Sequence, residues 1–364
     1  MNHNIPYGRQ HITQADIDAV VDTLRHPYLT QGPQVAAFEA AFADYVGARY
    51  AVAVANGTAA LHLCTLALEV DDQSRVLTTP ITFAASANCV RYCGGQVDFV
   101  DINPQTATMD LDALQQQLEA APTGTYQGVI PVDFAGYPVD LERVRALADA
   151  HDLWIIEDAC HAPGGYFADR QGQQQRCGNG QFADLAIFSF HPVKHIASGE
   201  GGMVTTNDPE LYQKLLLLRT HGITKNADLM QAEAHGGWYY EMQMLGYNYR
   251  IPDILCALGL SQLQRAVPNM ARRRALADRY DRAFEAAGIA RLGARADGGH
   301  AYHLYVVLVN NRKALYDQLR AVGIYAQVHY LPVHTLPYYR SIETAPVALP
   351  HAEAYYERCL SLPM

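Results

Sequence analysis

The sequence predicts an α/β protein: a large, mostly parallel sheet sandwiched between helices, with a smaller α+β lobe after it. Three observations carry that expectation. Short apolar runs alternate with helix-period segments from about residue 15 to 205. Those runs are apolar nearly throughout rather than at every second residue, as strands covered on both faces are. After about residue 250 the alternation gives way to one long helical stretch and a strand–helix–strand group. At 364 residues the chain also exceeds the roughly 250–300 residues at which a single core stops growing.

Residues 16–25 (DIDAVVDTLR) and 34–47 (QVAAFEAAFADYVG) place apolar side chains three and four apart and read as amphipathic helices. YAVAVA (50–55) reads as a strand ending at Asn56-Gly57-Thr58, and AALHLCTLALEV as the helix after it. The step repeats with RVLTT (75–79) before FAASANCVRYCG, QVDFVDI (96–102) before LDALQQQLE, and GVIPVDF (128–134) before DLERVRALADAHD. LWIIEDA (153–159), DLAIFSF (184–190) and GMVTTN (202–207) complete the strand series. The segment 252–288 reads as a long helix interrupted or bent near Pro268, whose ring removes a backbone donor. HLYVVLV (303–309), RKALYDQLRAVG (312–323) and AQVHYLP (326–332) then give strand, helix and strand. The expected division is an N-terminal arm (1–14), a large domain (15–250), and a connecting helix with a small domain (251–364).

Composition narrows the function. A formal charge of −10 argues against a binder of nucleic-acid backbone, which needs clustered Lys and Arg. It leaves room for a phosphorylated small molecule, held by a local nest of donors. No apolar stretch approaches the roughly 20 residues that span a bilayer, and MNHNIPYGRQ has no signal-like apolar core. The seven cysteines (64, 89, 93, 160, 177, 256 and 359) are scattered without metal-ligand spacing, so no metal site is expected. Free thiols without a signal peptide point to the cytoplasm.

In a parallel sheet ligands bind beyond the carboxyl ends of the strands, and four such ends carry polar or aromatic residues of different kinds. Asn56-Gly57-Thr58-Ala59-Ala60 opens a helix, whose unpaired N–H groups form an anion site; taken alone, an ordinary helix cap is the better reading. Asp158 ends an apolar strand, where a carboxylate needs a positive partner such as a protonated ring nitrogen; a cap or a buried salt bridge is equally consistent. Glu157 competes with it, but strand alternation turns Glu157 to the opposite face. In FSFHPVK (188–194) a strand delivers Ser189 and the chain then presents Lys194 ahead of a Gly-rich stretch. A desolvated Lys can attack a carbonyl, although a lone loop Lys is usually a solvated charge. Phe83 opens a helix beside a strand end and can stack on a flat ring, though such a Phe is more often core. Together the four supply an anion cradle, a carboxylate for a ring nitrogen, an amine for an aldehyde and a stacking face. Those match the parts of pyridoxal 5'-phosphate (PLP).

The segments LTQGP (29–33), NGTAAL (56–61), TTPITFAASAN (78–88), EDACHAPGG (157–165), FSFHPVKHIASGEGGMVTTND (188–208), LRTHGI (218–223), LGYNYRIPDILCALGLSQL (245–263) and QVHYLPVH (327–334) resemble the sugar aminotransferases of the DegT/DnrJ/EryC1/StrS family. These are fold-type I PLP enzymes, and the resemblance covers nearly the whole chain. FSFHPVKHI and QVHYLPVH look most like the branch that makes UDP-4-amino-4,6-dideoxy-N-acetyl-β-L-altrosamine, a precursor of pseudaminic acid. The resemblance implies that Lys194 carries the cofactor as a Schiff base and moves the proton. It implies Asp158 at the pyridine nitrogen, His161 near the phenolic oxygen and Phe83 stacked on the ring. Thr58, Ala59 and Ser189 would hold the phosphate, with Asn248 contributed by the neighbouring subunit of a homodimer. Tyr7, Thr30, Gln31, His329 and Tyr330 match segments that line the sugar-nucleotide pocket. The stacking and phenolic-oxygen positions vary within the family. Relatives continue for another helix beyond the position of Met364, so the small domain is expected to be shortened.

The implied reaction moves an amino group from L-glutamate to C4 of a nucleotide-linked 4-keto-6-deoxy sugar. Three other readings compete with it. A dehydratase of the same fold would carry His in place of Lys194. A non-catalytic regulator could dispense with the Lys or the Asp, and neither is missing. A dinucleotide-dependent dehydrogenase would need GxGxxG after the first strand, which NGTAAL does not supply.

Overall fold

A computed structural model describes residues 4–342 and 347–364. Its centre is a seven-stranded sheet of β1 (Tyr50–Val54), β2 (Arg75–Thr78), β3 (Gln96–Phe99), β4 (Gly128–Ile130), β5 (Trp154–Asp158), β6 (Leu185–Ser189) and β7 (Gly202–Thr206). The spatial order is β1-β7-β6-β5-β4-β2-β3. Neighbours run parallel except at β7, which is antiparallel to both β1 and β6. The exception has a local cause. Parallel strands need a crossover, usually a helix, whereas the segment joining β6 to β7 contains none and returns the chain directly. Lys194 lies in that return.

The alternating residues of each strand fill two different cores. In β1, Ala51 and Ala53 pack with Phe38 and Phe42 of α2 (Pro33–Val46), while Val52 and Val54 pack with Leu61 and Leu63 of α3 (Gly57–Ala67). In β6, Ala186 and Phe188 join the first core and Leu185 and Ile187 the second. This two-sided burial explains why the strands read as continuous apolar runs. α4 (Ala85–Tyr92) and α7 (Pro209–Arg219) cover the α3 face, and α5 (Leu111–Ala120) and α6 (Leu141–His151) the other.

The expected interruption near Pro268 is present, whereas one strand needs correction. The stretch 252–288 is two helices, α8 (Asp253–Leu263) and α9 (Ala266–Ala286), and the break falls before Pro268. Pro268 lies in the first turn of α9, where a missing N–H costs no intrahelical bond. The break itself coincides with Arg265, whose guanidinium reaches the fully buried Asp16 (2.7 Å) in α1 (Gln14–Arg25). The correction concerns 326–332, which is not a strand; only Gln327 bridges, to Ser361. The small sheet is instead β8 (Ala290–Arg291), β9 (Tyr305–Leu308) and β10 (Cys359–Leu362), antiparallel in that order. β10 occupies the place beside β9, which leaves 326–332 to run along the sheet edge toward the large sheet.

Three helices complete this lobe: α10 (Arg312–Ala321), α11 (Pro337–Ile342) and α12 (Pro350–Arg358). The N-terminal arm joins it through a parallel pairing of Ile5–Pro6 with Ile324–Tyr325. No helix among the described residues is long and apolar enough to cross a membrane.

Candidate active site

A cavity of about 470 Å³ opens beyond the carboxyl ends of β1, β2, β5 and β6. The β1 end and the start of α3 supply Asn56, Gly57 and Thr58; the loop into α4 supplies Thr82 and Phe83, and α4 itself Ser86; β5 and its extension supply Asp158, Cys160 and His161. Ser189 ends β6, and the β6–β7 return adds His191, Val193, Lys194 and Glu200. The remaining wall is Tyr7 from the arm with His329 and Tyr330 from the small lobe.

The floor is an anion cradle. α3 makes its first intrahelical bond from Ala60 N–H to Asn56 O (3.0 Å), and Asn56 Oδ1 accepts from Ala59 N–H (2.8 Å). The capping reading is therefore right for Asn56. It leaves the N–H groups of Gly57 and Thr58 without a protein partner among the described residues, at the positive end of the helix. Ser189 sits directly against them, since a Cβ on Gly57 would stand 3.1 Å from Ser189 Cβ and 3.5 Å from its Oγ.

Asp158 is 6 % exposed. Its carboxylate accepts from Ser86 Oγ (2.6 Å) and from Cys160 N–H (3.1 Å). Both donors are neutral, and no Lys or Arg forms an ion pair with it among the described residues, so the carboxylate is free to pair with a positive group in the cavity. Glu157 points through the sheet, as alternation requires. There it meets Asp133 and Cys177, with one ligand atom of each within 4.8 Å of the others. Glu157 Oε2 accepts from Gly178 N–H (2.9 Å) and Asp133 Oδ1 from Val139 N–H (2.8 Å). Burial pushes the Asp133 carboxyl up to about 6 and the Glu157 carboxyl well above its ordinary value.

Lys194 is held in a turn by its N–H to His191 O (2.8 Å). Burial pushes its ammonium pKa down, opposed by the nearby Cys160 and Asp158. The lowered pKa raises the share of free amine, the form that attacks carbonyls. His161 is buried and neutral, because desolvation and then Lys194 hold its pKa well below the ordinary value. Its Nδ1 accepts from Ala135 N–H (3.2 Å), so the ring proton sits on Nε2, 3.3 Å from the Tyr330 hydroxyl.

Nine of the residues singled out from the sequence share this cavity: Tyr7, Thr58, Phe83, Asp158, His161, Ser189, Lys194, His329 and Tyr330. Four do not line it. Ala59 is buried behind the cradle with its N–H already taken by Asn56. Thr30 is exposed, and Gln31 lines a separate groove with Glu39, Arg219 and Arg250. Asn248 forms an isolated bridge to Thr220. Ser86 and Cys160 were not anticipated. Cys160 could have been, being two residues past Asp158.

The sequence matches the DegT/DnrJ/EryC1/StrS aminotransferase family over residues 10–364. The chain belongs to that family. It is 37% identical to the spore coat polysaccharide biosynthesis protein SpsC of Bacillus subtilis, over 100% of this chain and 92% of SpsC. It is 35% identical to the UDP-4-amino-4,6-dideoxy-N-acetyl-β-L-altrosamine transaminase of Campylobacter jejuni, over 99% of this chain and 92% of the relative. Among solved structures, the aminotransferase PseC of Helicobacter pylori, involved in the biosynthesis of pseudaminic acid, superposes with a TM-score of 0.87 at 32% identity. That match covers 99% of this chain and 94% of PseC.

The protein is thus a PLP-dependent sugar aminotransferase with the fold-type I architecture. Structures of this fold have been solved in a PLP form and a PMP form. The cavity fits such a cofactor: it offers a buried Lys with a lowered pKa, a buried carboxylate with no ion pair among the described residues, and open N–H groups beside two hydroxyls.

Proposed function

We propose that the enzyme transfers an amino group from L-glutamate to C4 of a nucleotide-linked 4-keto-6-deoxy sugar, giving UDP-4-amino-4,6-dideoxy-N-acetyl-β-L-altrosamine. The observation that carries this reading is the convergence of Lys194, Asp158 and the open start of α3 on one cavity.

When bound, PLP supplies a carbonyl for the amine and an electron-withdrawing ring that stabilises a carbanion. The chain's residues do the rest. Lys194 would hold the cofactor through its aldehyde carbon and would be the base that moves the proton between the donor Cα (or sugar C4) and that carbon. Burial lowers its pKa and so raises the unprotonated share that task needs. Asp158, oriented by Ser86 and Cys160, holds the ring nitrogen protonated. Thr58, Ser189 and the N–H groups of Gly57 and Thr58 hold the phosphate, with the partner subunit's Asn248. Phe83 supports the ring face, and His161 donates its Nε2–H toward the phenolic oxygen. Tyr7, His329 and Tyr330 enclose the sugar. Thr30 and Gln31, remote from their own subunit's cavity, contribute to the site of the second copy in a cytoplasmic homodimer. With a division into arm (1–14), large domain (15–250) and small domain (251–364), the substrate would sit where all three meet.

The test has two parts. Lys194→Ala and Lys194→Arg are expected to abolish turnover together with the visible absorbance of lysine-bound cofactor; retention of both refutes the assignment. UDP- and dTDP-linked 4-keto-6-deoxy sugars are then offered with L-glutamate, and NMR of the product gives the configuration at C4. A product whose C4 configuration differs from that of the altrosamine would overturn the sugar assignment.

A further inference from the structure

β10 builds part of the cavity without lining it. Its alternation sends Leu360 and Leu362 into one core and turns Cys359 and Ser361 to the other side. Ser361 is fully buried, paired with Val306 in β9 and bridged to Gln327 through Ser361 N–H to Gln327 O (2.7 Å) and Gln327 N–H to Ser361 O (3.0 Å). Its hydroxyl is therefore held in place by backbone on both sides. It lies 2.8 Å from Nδ1 of His329, a residue of the cavity wall.

The direction of that bond follows from counting protons. Burial, and then Lys194, hold the His329 pKa down to about 3, so the ring is neutral and carries one N–H. If that hydrogen sat on Nδ1 it would point at Ser361 Oγ, and the buried Ser361 proton would have nowhere to go, since the hydroxyl has no other partner among the described residues. An unmade buried bond costs more than a made one returns. The hydroxyl therefore donates to Nδ1, and the ring proton lies on Nε2. Nε2 has no protein partner among the described residues and is not among the sealed, unpaired buried atoms. The ring is also fixed from the other side, by Tyr7 with centroids 5.0 Å apart and by Tyr355 Oη donating to the His329 carbonyl (2.9 Å).

We propose that Ser361 is a positioning residue for substrate recognition: its hydroxyl sets His329 as a neutral Nε2–H donor, aimed at an acceptor oxygen of the nucleotide-linked sugar. The inference rests on reading the cavity as the sugar site. A neutral donor suits a hydroxyl, carbonyl or phosphate oxygen of the substrate and adds no charge to a cavity where Lys194 must stay unprotonated.

The tautomer is read directly from long-range ¹H–¹⁵N correlations of holoenzyme labelled at histidine, with His329 assigned by its loss in His329→Gln. The expected pattern is a bare Nδ1 and a protonated Nε2; a protonated Nδ1 overturns the proposal whatever the enzyme's substrate. The kinetic arm uses Ser361→Ala, expected to raise KM for the keto sugar about tenfold. The conversion of bound cofactor by L-glutamate alone should stay within about twofold, because the donor half-reaction does not need the sugar oxygen. Ser361→Thr, which keeps the hydroxyl, should recover the sugar KM. Equal losses in both half-reactions without recovery by Thr would reduce Ser361 to a packing residue. If Ser361→Ala fails to fold, the wild-type spectrum still decides. If the wild type turns over no keto sugar, the sugar reading fails while the tautomer remains measured.

Discussion

Gly202→Ala is the sharpest steric test of the cofactor cradle. A methyl at this position would stand 2.5 Å from Asn56 O, 2.6 Å from Asn56 C and 2.9 Å from Gly57 N, all backbone atoms that no rotamer change can clear. Normal contact begins near 3.4 Å, so the two segments must part by about 1 Å. Gly202 is pinned between Val54 of β1 and Ser189 of β6, so the yielding partner is the first turn of α3. That turn carries the open N–H groups and Thr58. Displacing two charge-assisted bonds to a phosphate by that distance costs about 2–3 kcal/mol, or roughly 30- to 150-fold in affinity. Overpacking adds a stability loss of about 1–3 kcal/mol. The assay is titration of the apo protein with PLP, followed by absorbance, beside a thermal melt. Gly47→Ala is the control: its φ of +85° makes the substitution strained, but the methyl meets nothing within 4 Å and the site is remote. It should lower the melting temperature and leave PLP affinity unchanged. A folded Gly202→Ala that binds PLP like the wild type would refute the cradle at Gly57 and Thr58.

Two further outcomes follow from buried charge. Asp133 and Glu157 both have carboxyl pKa values raised by burial, so their stabilising contribution is complete below the ordinary carboxylate range. It is lost as pH rises through about 6 for Asp133 and higher for Glu157. The melting temperature should therefore fall over that window, and Glu157→Gln, a neutral isostere, should flatten the decline; superimposable curves would contradict the raised Glu157 carboxyl. Asp16 is fully buried and accepts from Thr13 N–H (2.8 Å), Ser261 Oγ (2.7 Å), Gln262 Nε2 (3.0 Å) and Arg265 Nη2 (2.7 Å). Asp16→Ala strands those donors where α1 meets α8 and should cost about 2–3 kcal/mol in urea unfolding, moderated by the partial exposure of Arg265. A change under 1 kcal/mol would mean water replaces the carboxylate.

What could be read from the sequence was whatever a strand enforces locally. Because both faces of the sheet are buried, alternation alone separates Asp158, which faces the cavity, from Glu157, which meets Asp133 behind it. Residues placed by folding at a distance were not legible. Ser86 lies in an alanine-rich helix and meets Asp158 across 72 positions. The segment 326–332 misled because an apolar pattern reports burial and not pairing: Val328 and Tyr330 pack into a core while β10 takes the partner strand. Thr30, Gln31 and Asn248 fall outside this cavity, because a match to a motif does not say where the folded chain places a residue. Yet the rule that made Asp158 a candidate applies equally at the other end of the chain. A polar side chain inside a short apolar strand is desolvated and must have a partner. CLSL is such a strand, and Ser361 is its polar member. Its partner proves to be His329, so the same physics that points to the cofactor's carboxylate points, one lobe away, to the residue that orients a sugar-facing donor.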